Sequence, residues 1–161
     1  MEYRIATKND IIELLCLYKQ LFPNENLDIS IAESIWDKTV ANNTTTYFIA
    51  VNDCKIISSC NISIIQNLTR QGRPFGVIEN VITDRNYRRQ GIGSKVINNA
   101  IEFSRQNNCY KVLLLSSIHR KDSHDFYEKI GFNGNSKKGF ELRFEETSYV
   151  VSQATPTPPI D

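Results

Sequence analysis

Asn80-Val81-Ile82-Thr83-Asp84-Arg85-Asn86-Tyr87-Arg88-Arg89-Gln90-Gly91-Ile92-Gly93-Ser94-Lys95 runs an apolar strand into a basic turn, then Gly-Ile-Gly, then an amphipathic helix. Such a chain presents bare backbone N–H groups, backed by the positive end of a helix dipole, to a phosphate-bearing ligand. Two well-known phosphate motifs do not fit. The dinucleotide fingerprint needs a third glycine where this chain has Val96. The P-loop needs Gly-Lys-Ser/Thr after an upstream glycine, and here Ser94-Lys95 is in the reverse order.

Outward from this segment, the 161 residues fit one domain with one core. A net charge of +1 gives no global field for nucleic acid or anionic membrane, so any basic patch acts locally. A nucleic-acid interface built on Arg85, Arg88 and Arg89 is opposed by that near-neutral charge. No run of about 18 apolar residues could span a membrane, and no apolar stretch follows Met1-Glu2-Tyr3-Arg4 as in a signal peptide. Cys16, Cys54, Cys60 and Cys109 lie far apart and without zinc-site spacing, so reduced, mostly buried thiols in a cytoplasmic protein and no bound metal are expected.

Periodicity gives the order β-α-α-β-β-β-α-β-α-β. Tyr3 to Ala6 reads as a strand. Thr7 with Asp10 reads as a helix cap, and the helix it starts is stopped by Pro23. A second helix spans about Ile29 to Ala41. Thr46 to Val51 and Lys55 to Ile65 form a hairpin about Asn52-Asp53. Phe75 to Thr83 is the next strand, and Gly91 to Gln106 a helix with Ile92, Val96, Ile97, Ala100, Ile101 and Phe103 toward the core. Lys111 to Leu115, about Ser123 to Ile130, and Phe140 to Phe144 complete the alternation as strand, helix and strand. The domain is expected over 1–147, with an extended proline-containing tail over 148–161.

Arg88-Arg89-Gln90-Gly91-Ile92-Gly93 resembles the [RQ]-x-x-G-x-[GA] pyrophosphate motif of the GNAT superfamily of N-acetyltransferases. Phe126-Tyr127-Glu128-Lys129-Ile130-Gly131-Phe132 is similar to that family's [FL]-Y-E-K-x-G-F segment. Val77 to Thr83 and Cys109 to Leu115 resemble its fourth and fifth strands. The wording around Glu79, Asn80 and Cys109-Tyr110-Lys111 resembles the glucosamine-6-phosphate N-acetyltransferase branch, without implying that substrate. The resemblance implies an α/β fold of GNAT type: a mixed, largely antiparallel central sheet flanked by helices.

It also implies transfer of an acetyl group from acetyl-CoA to a primary amine of a small molecule by direct ternary-complex attack. Acetyl-CoA would lie along Val81, Ile82 and Thr83 and against Arg88, Arg89, Gln90, Gly91, Ile92, Gly93 and Ser94, the glycines letting the backbone approach the pyrophosphate. Arg120 stands where many relatives carry a coenzyme-contacting Asn and would meet a coenzyme phosphate instead, and Ser123 stands where they carry Ala. Tyr127 is implied beside the coenzyme sulfur, and the Val81 N–H as oxyanion donor. Glu79 is the carboxylate best placed to help the amine lose its proton, given burial or a water relay. His119 and His124 read as loop residues. Asn24, Glu25 and Asp28 would suit a cationic acceptor; Arg73 and Lys138, next to Lys137, would suit an anionic one. The family also implies a homodimer as the assembly to expect. The competing readings are a catalytically weak acetyl-CoA-binding regulatory module and a peptide or protein N-acetyltransferase.

Overall fold

The computed structural model describes residues 1–42 and 45–144. Its five-stranded sheet runs β1-β2-β3-β4-β5 in sequence order, from strands β1 (Glu2–Ile5), β2 (Thr45–Asn52), β3 (Lys55–Ile65), β4 (Phe75–Thr83) and β5 (Val112–Leu114). The first three pairings are antiparallel and β4–β5 is parallel. A parallel pair needs a crossover, which α3 (Ile92–Gln106) supplies. Helices α1 (Ile11–Tyr18) and α2 (Ile29–Asn42) lie between β1 and β2 in sequence, and α4 (Lys121–Ile130) follows β5.

The sheet is covered on both faces because its strands are apolar on both. On one face Phe48, Ala50, Ile57, Cys60, Ile62 and Ile78 pack with Ile92, Val96, Ile97 and Ala100 of α3; Phe126, Tyr127 and Ile130 of α4 close its margin. On the other, Ile49, Ile56 and Ile82 meet Leu14 and Leu17 of α1, and Trp36 of α2 stacks on Tyr47 with ring centroids 5.2 Å apart. Asp10 fixes the start of α1. Its carboxylate accepts two bonds from Arg4, at 2.7 and 2.8 Å, and one from the Thr7 amide at 2.7 Å.

Two departures from regular pairing matter downstream. The β3–β4 register shifts between Ser59↔Ile82 and Asn61↔Glu79, so Asn80 and Val81 together oppose Cys60. Asn80 has φ +53°, a bulge conformation that asparagine tolerates better than most residues. The extra residue reverses side-chain alternation along β4: Ile78 enters the α3 core, while Ile82, four residues on, enters the α1 core. Secondly, β4 and β5 pair only over Gly76–Ile78 and Val112–Leu114, and from Glu79 onward the two chains part.

The structure corrects four expectations. Residues 140–144 form no strand, and Phe140, Leu142 and Phe144 are exposed, so β5 gains no partner from them. The hairpin turn is Asp53-Cys54, both at positive φ, as the twist of a two-residue hairpin requires. Helix α1 ends at Tyr18 and continues only as turns toward Pro23. Cys16 and Cys54 are exposed; Cys60 is buried and Cys109 half-buried, and all four are free thiols. The tail over 148–161 lies outside the described residues.

Candidate active site

Where β4 leaves β5, the chains enclose a cavity of about 220 Å³. Glu79, Asn80 and Val81 form one wall, Leu115 to Ser117 and Arg120 another, with Tyr127 from α4 and Leu21-Phe22 beyond α1 completing it. The bulge places Val81 on the cavity side. A second hollow of about 410 Å³ lies among Glu2, Arg4, Asp10 and Asp53 at the hairpin end. It is larger, but its central carboxylate is already committed to Arg4 and Thr7, and none of the motif residues reaches it.

At its far end β4 runs into the basic turn. Asp84, 1% exposed, organises that turn: its carboxylate accepts the Asn86 amide at 2.9 Å, Gln20 Nε2 at 3.0 Å and Lys55 Nζ at 3.2 Å. The Arg85 amide donates in turn to Gln20 Oε1 at 3.2 Å. Hydrogen bonds to the charged form, the Asn86 amide first, hold the Asp84 carboxyl below the usual carboxylate range. Arg88 Nε donates to the Thr83 carbonyl at 3.1 Å, bending the turn over the end of β4. Arg89 is exposed at φ +60°, and Gln90 Nε2 donates to the Asn86 carbonyl at 3.4 Å.

Gly91 precedes α3 at φ +77°, in the left-handed region where a side chain is strained. Gly93 has a different reason for being glycine: a Cβ there would sit 2.8 Å from Thr83 Oγ1, so its absence lets α3 start directly against β4. No side chain caps α3 and no acidic residue lies in its first turn. The amides around Gly91 to Ser94 are therefore available to an anion. Ile82 and Ile92 are each 3% exposed, so only their backbones can meet a ligand.

Tyr127 is half-buried in α4, its ring 5.2 Å from that of Phe126 and 6.1 Å from that of Phe132. Burial pushes its phenol above the ordinary value; nearby Arg120 opposes this, and Cys60 and Glu79 add to it. Its hydroxyl makes no hydrogen bond among the described residues. Glu79 is exposed at the cavity. Arg120 precedes α4 with its side chain exposed on the wall. His124 Nε2 lies 2.9 Å from the Ser117 carbonyl, and His119 is exposed. Neither lines the cavity. Arg73 is turned away, donating to the Asn108 and Cys109 carbonyls, and Lys138 lies over the Phe140 ring. Asn24, Glu25 and Asp28 are exposed outside the cavity. Among the described residues no group of three or more His, Cys, Asp or Glu could hold a metal ion, and no helix is long and apolar enough to cross a membrane.

A strand edge that opens at a bulge and ends at an uncapped helix start has the shape for an elongated, phosphate-bearing ligand. Residues 10–132 match the model of the acetyltransferase (GNAT) family, and the chain belongs to that family. It is 40% identical over 84 residues to a glucosamine 6-phosphate N-acetyltransferase of Trypanosoma brucei brucei, covering 52% of this chain and 55% of that one. The chain spans about half the length of the curated relatives it matches. Among solved structures, a provisionally assigned acetyltransferase from Agrobacterium tumefaciens superposes with TM-score 0.84 at 37% identity, covering 89% of this chain and all of that one. A predicted acetyltransferase from Clostridium acetobutylicum, solved with acetyl-CoA, superposes with TM-score 0.73 at 25% identity over 92% of this chain and 99% of that one.

Proposed function

We propose that this protein transfers the acetyl group of acetyl-CoA to a primary amine of a small molecule, by direct attack in a ternary complex. The observation that carries this reading is the continuous path from the uncapped start of α3, along the free edge of β4, to Tyr127. The pyrophosphate would take the amides of about Arg89 to Ser94, with Arg88 and Arg89 adding charge. The pantetheine arm would extend β4 along Thr83, Ile82 and Val81, completing the edge that β5 leaves open. The Val81 amide would then donate to the carbonyl oxygen as the tetrahedral intermediate forms.

The leaving thiolate lies within reach of Tyr127 in this arrangement. A free thiol has a pKa of about 8.5 and a phenol about 10, so proton transfer from Tyr127 to thiolate is uphill. Burial raises the phenol further and makes that transfer costlier. Tyr127 therefore acts mainly by donating a hydrogen bond to the developing charge. Exposed Glu79 accepts the amine's proton through water. A covalent acetyl-cysteine is disfavoured: no cysteine lines the cavity, and the Cys60 thiol is buried, donates to the Val96 carbonyl at 3.9 Å, and is pushed up to about 12 by desolvation.

The named relatives make glucosamine 6-phosphate the first amine to try, and Arg120 is the cavity's cation for an anionic acceptor. Steady-state thiol release from acetyl-CoA, measured across amino sugars, polyamines, aminoglycosides and peptide N-termini, tests the proposal. Turnover with a small amine supports it. Turnover confined to peptides moves the reading to a peptide N-acetyltransferase, and coenzyme binding with no turnover moves it to a regulatory module. Homodimerisation in the cytoplasm is part of the same proposal, checked by sedimentation and by fractionation.

A further inference from the structure

Asn61 sits in the middle of β3, paired with Tyr47 of β2 on one side and Glu79 of β4 on the other. Directly opposed residues in antiparallel strands share a face. Its neighbours Cys60 and Ile62 enter the α3 core, so Asn61 lies on the opposite face, in a row Tyr47–Asn61–Glu79 that leads to the cavity. The residue is 9% exposed, and its Oδ1 is buried with no hydrogen-bond partner, the only such side-chain atom among the described residues. Nearby hydroxyls are occupied: Tyr18 pairs with Ser59 at 3.3 Å and Thr45 with Ser63 at 2.8 Å.

A buried acceptor without a donor opposes folding, and an apolar residue of similar size would not carry that penalty. The chain thus keeps, beside Glu79, a hydrogen-bond acceptor that folding does not use. Its terminal torsion is soft, so the oxygen can turn toward a ligand without moving β3. We infer that Asn61 is a specificity-determining residue: its carboxamide oxygen takes a hydrogen bond from an N–H or O–H of a polar, hydroxyl-bearing amine held next to Glu79. This rests on the transfer reaction proposed above. The amine's lone pair is directed to the acetyl carbon and one N–H to Glu79, so a hydroxyl near the amine supplies the second donor without holding the nitrogen off its line of attack. Hydroxylated amines are therefore favoured over plain alkyl polyamines.

The test compares wild type, Asn61→Leu and Asn61→Asp with glucosamine 6-phosphate, glucosamine and spermidine as acceptors. Asn61→Leu should raise the KM for the amino sugars about tenfold, the worth of one hydrogen bond, and leave the KM for acetyl-CoA unchanged. Its melting temperature should equal or exceed that of wild type, because the orphaned acceptor is gone. Asn61→Asp keeps an acceptor oxygen and should retain the amino-sugar KM better than leucine does. Should the leucine variant fail to fold, Asn61→Ala against Asn61→Asp gives the same comparison. Amino-sugar KM values within about twofold of wild type in the leucine or alanine variant overturn the inference alone, as does an equal rise for spermidine. Wild-type failure with every amine overturns the transfer reading and this inference with it.

Discussion

Replacing Gly93 with alanine would put a methyl carbon 2.8 Å from Thr83 Oγ1 and 3.5 Å from Phe126 Cζ. An ordinary contact begins at 3.4 Å, so the first gap is about 0.6 Å short. Thr83 cannot turn away freely, because its hydroxyl is bonded to Ser58 Oγ at 2.9 Å and Ser58 also donates to the Ile82 carbonyl at 2.9 Å. Alanine gains about 0.5–1 kcal/mol over glycine in a helix, less in the first turn. Overpacking costs about 1–3 kcal/mol, and a broken Ser58–Thr83 bond about 1 kcal/mol more. The steric side wins, with a net loss of about 1–3.5 kcal/mol. If α3 retreats instead, its first amides move off the line of β4, and the KM for acetyl-CoA should rise about tenfold with kcat little changed. Equilibrium unfolding in urea and initial rates with varied acetyl-CoA read the two effects. Adding Thr83→Ala removes the clashing oxygen and should restore part of both, a coupling that two independent lesions would not show. An alanine variant as stable as wild type with unchanged KM would refute the reasoning, and so would a double variant that recovers nothing.

Tyr127→Phe should lower kcat by at least about tenfold with little change in the KM for acetyl-CoA, since the lost bond forms in the transition state; equal kcat would remove Tyr127 from the chemistry. Asp84→Asn turns an amide NH₂ toward Gln20 Nε2 and Lys55 Nζ. Urea unfolding should show a loss of about 2–4 kcal/mol, accompanied by a higher acetyl-CoA KM because the basic turn is anchored there. Asp10 is held at about 2 rather than 3.8, chiefly by Arg4 and then by Thr7 against the opposing effect of burial. Its contribution of about 2 kcal/mol is complete above the unfolded value and is lost as pH falls through the folded one. Arg4→Met should accordingly flatten the stability profile between about pH 4 and pH 2; an unchanged acid limb would contradict that assignment.

The site was legible where chemistry and local geometry coincide in a short stretch. Gly91 and Gly93 mark the start of α3 in any reading, although the structure separates their reasons into a left-handed backbone and a close helix–strand approach. The place of Tyr127 on the cavity is legible through its motif, and the core side of α3 through its period. What the sequence hid depends on pairing between distant residues. Nothing local marks Asn80 as an extra residue in the ladder, since an asparagine in a strand pattern carries no obligatory signal. Gln20 carries no local signal, yet it clasps Asp84 and Arg85, some 65 positions on. Asn61 reads as an ordinary polar interruption, and only the register beside Glu79 gives it meaning. Phe140 to Phe144 has the alternation of a strand, but a strand needs a neighbouring backbone to bond, which the pattern alone cannot supply.

The single extra residue at Asn80 gives β4 two phases. Thr83, Ile82 and Val81 belong to one, Glu79 back to Phe75 to the other, so Ile82 and Glu79, three residues apart, share the face of Ser59 and Asn61. The pairs Ser59↔Ile82 and Asn61↔Glu79 stand on either side of the bulge, so deleting Asn80 would keep every side chain of β4 on its face and remove only the local bend at the cavity. A loop such as Gln66 to Arg73 can change length without touching the ladder. When segments are exchanged among related proteins, β4 must travel whole, because a junction between Glu79 and Val81 falls inside the bulge that bends the strand at the cavity.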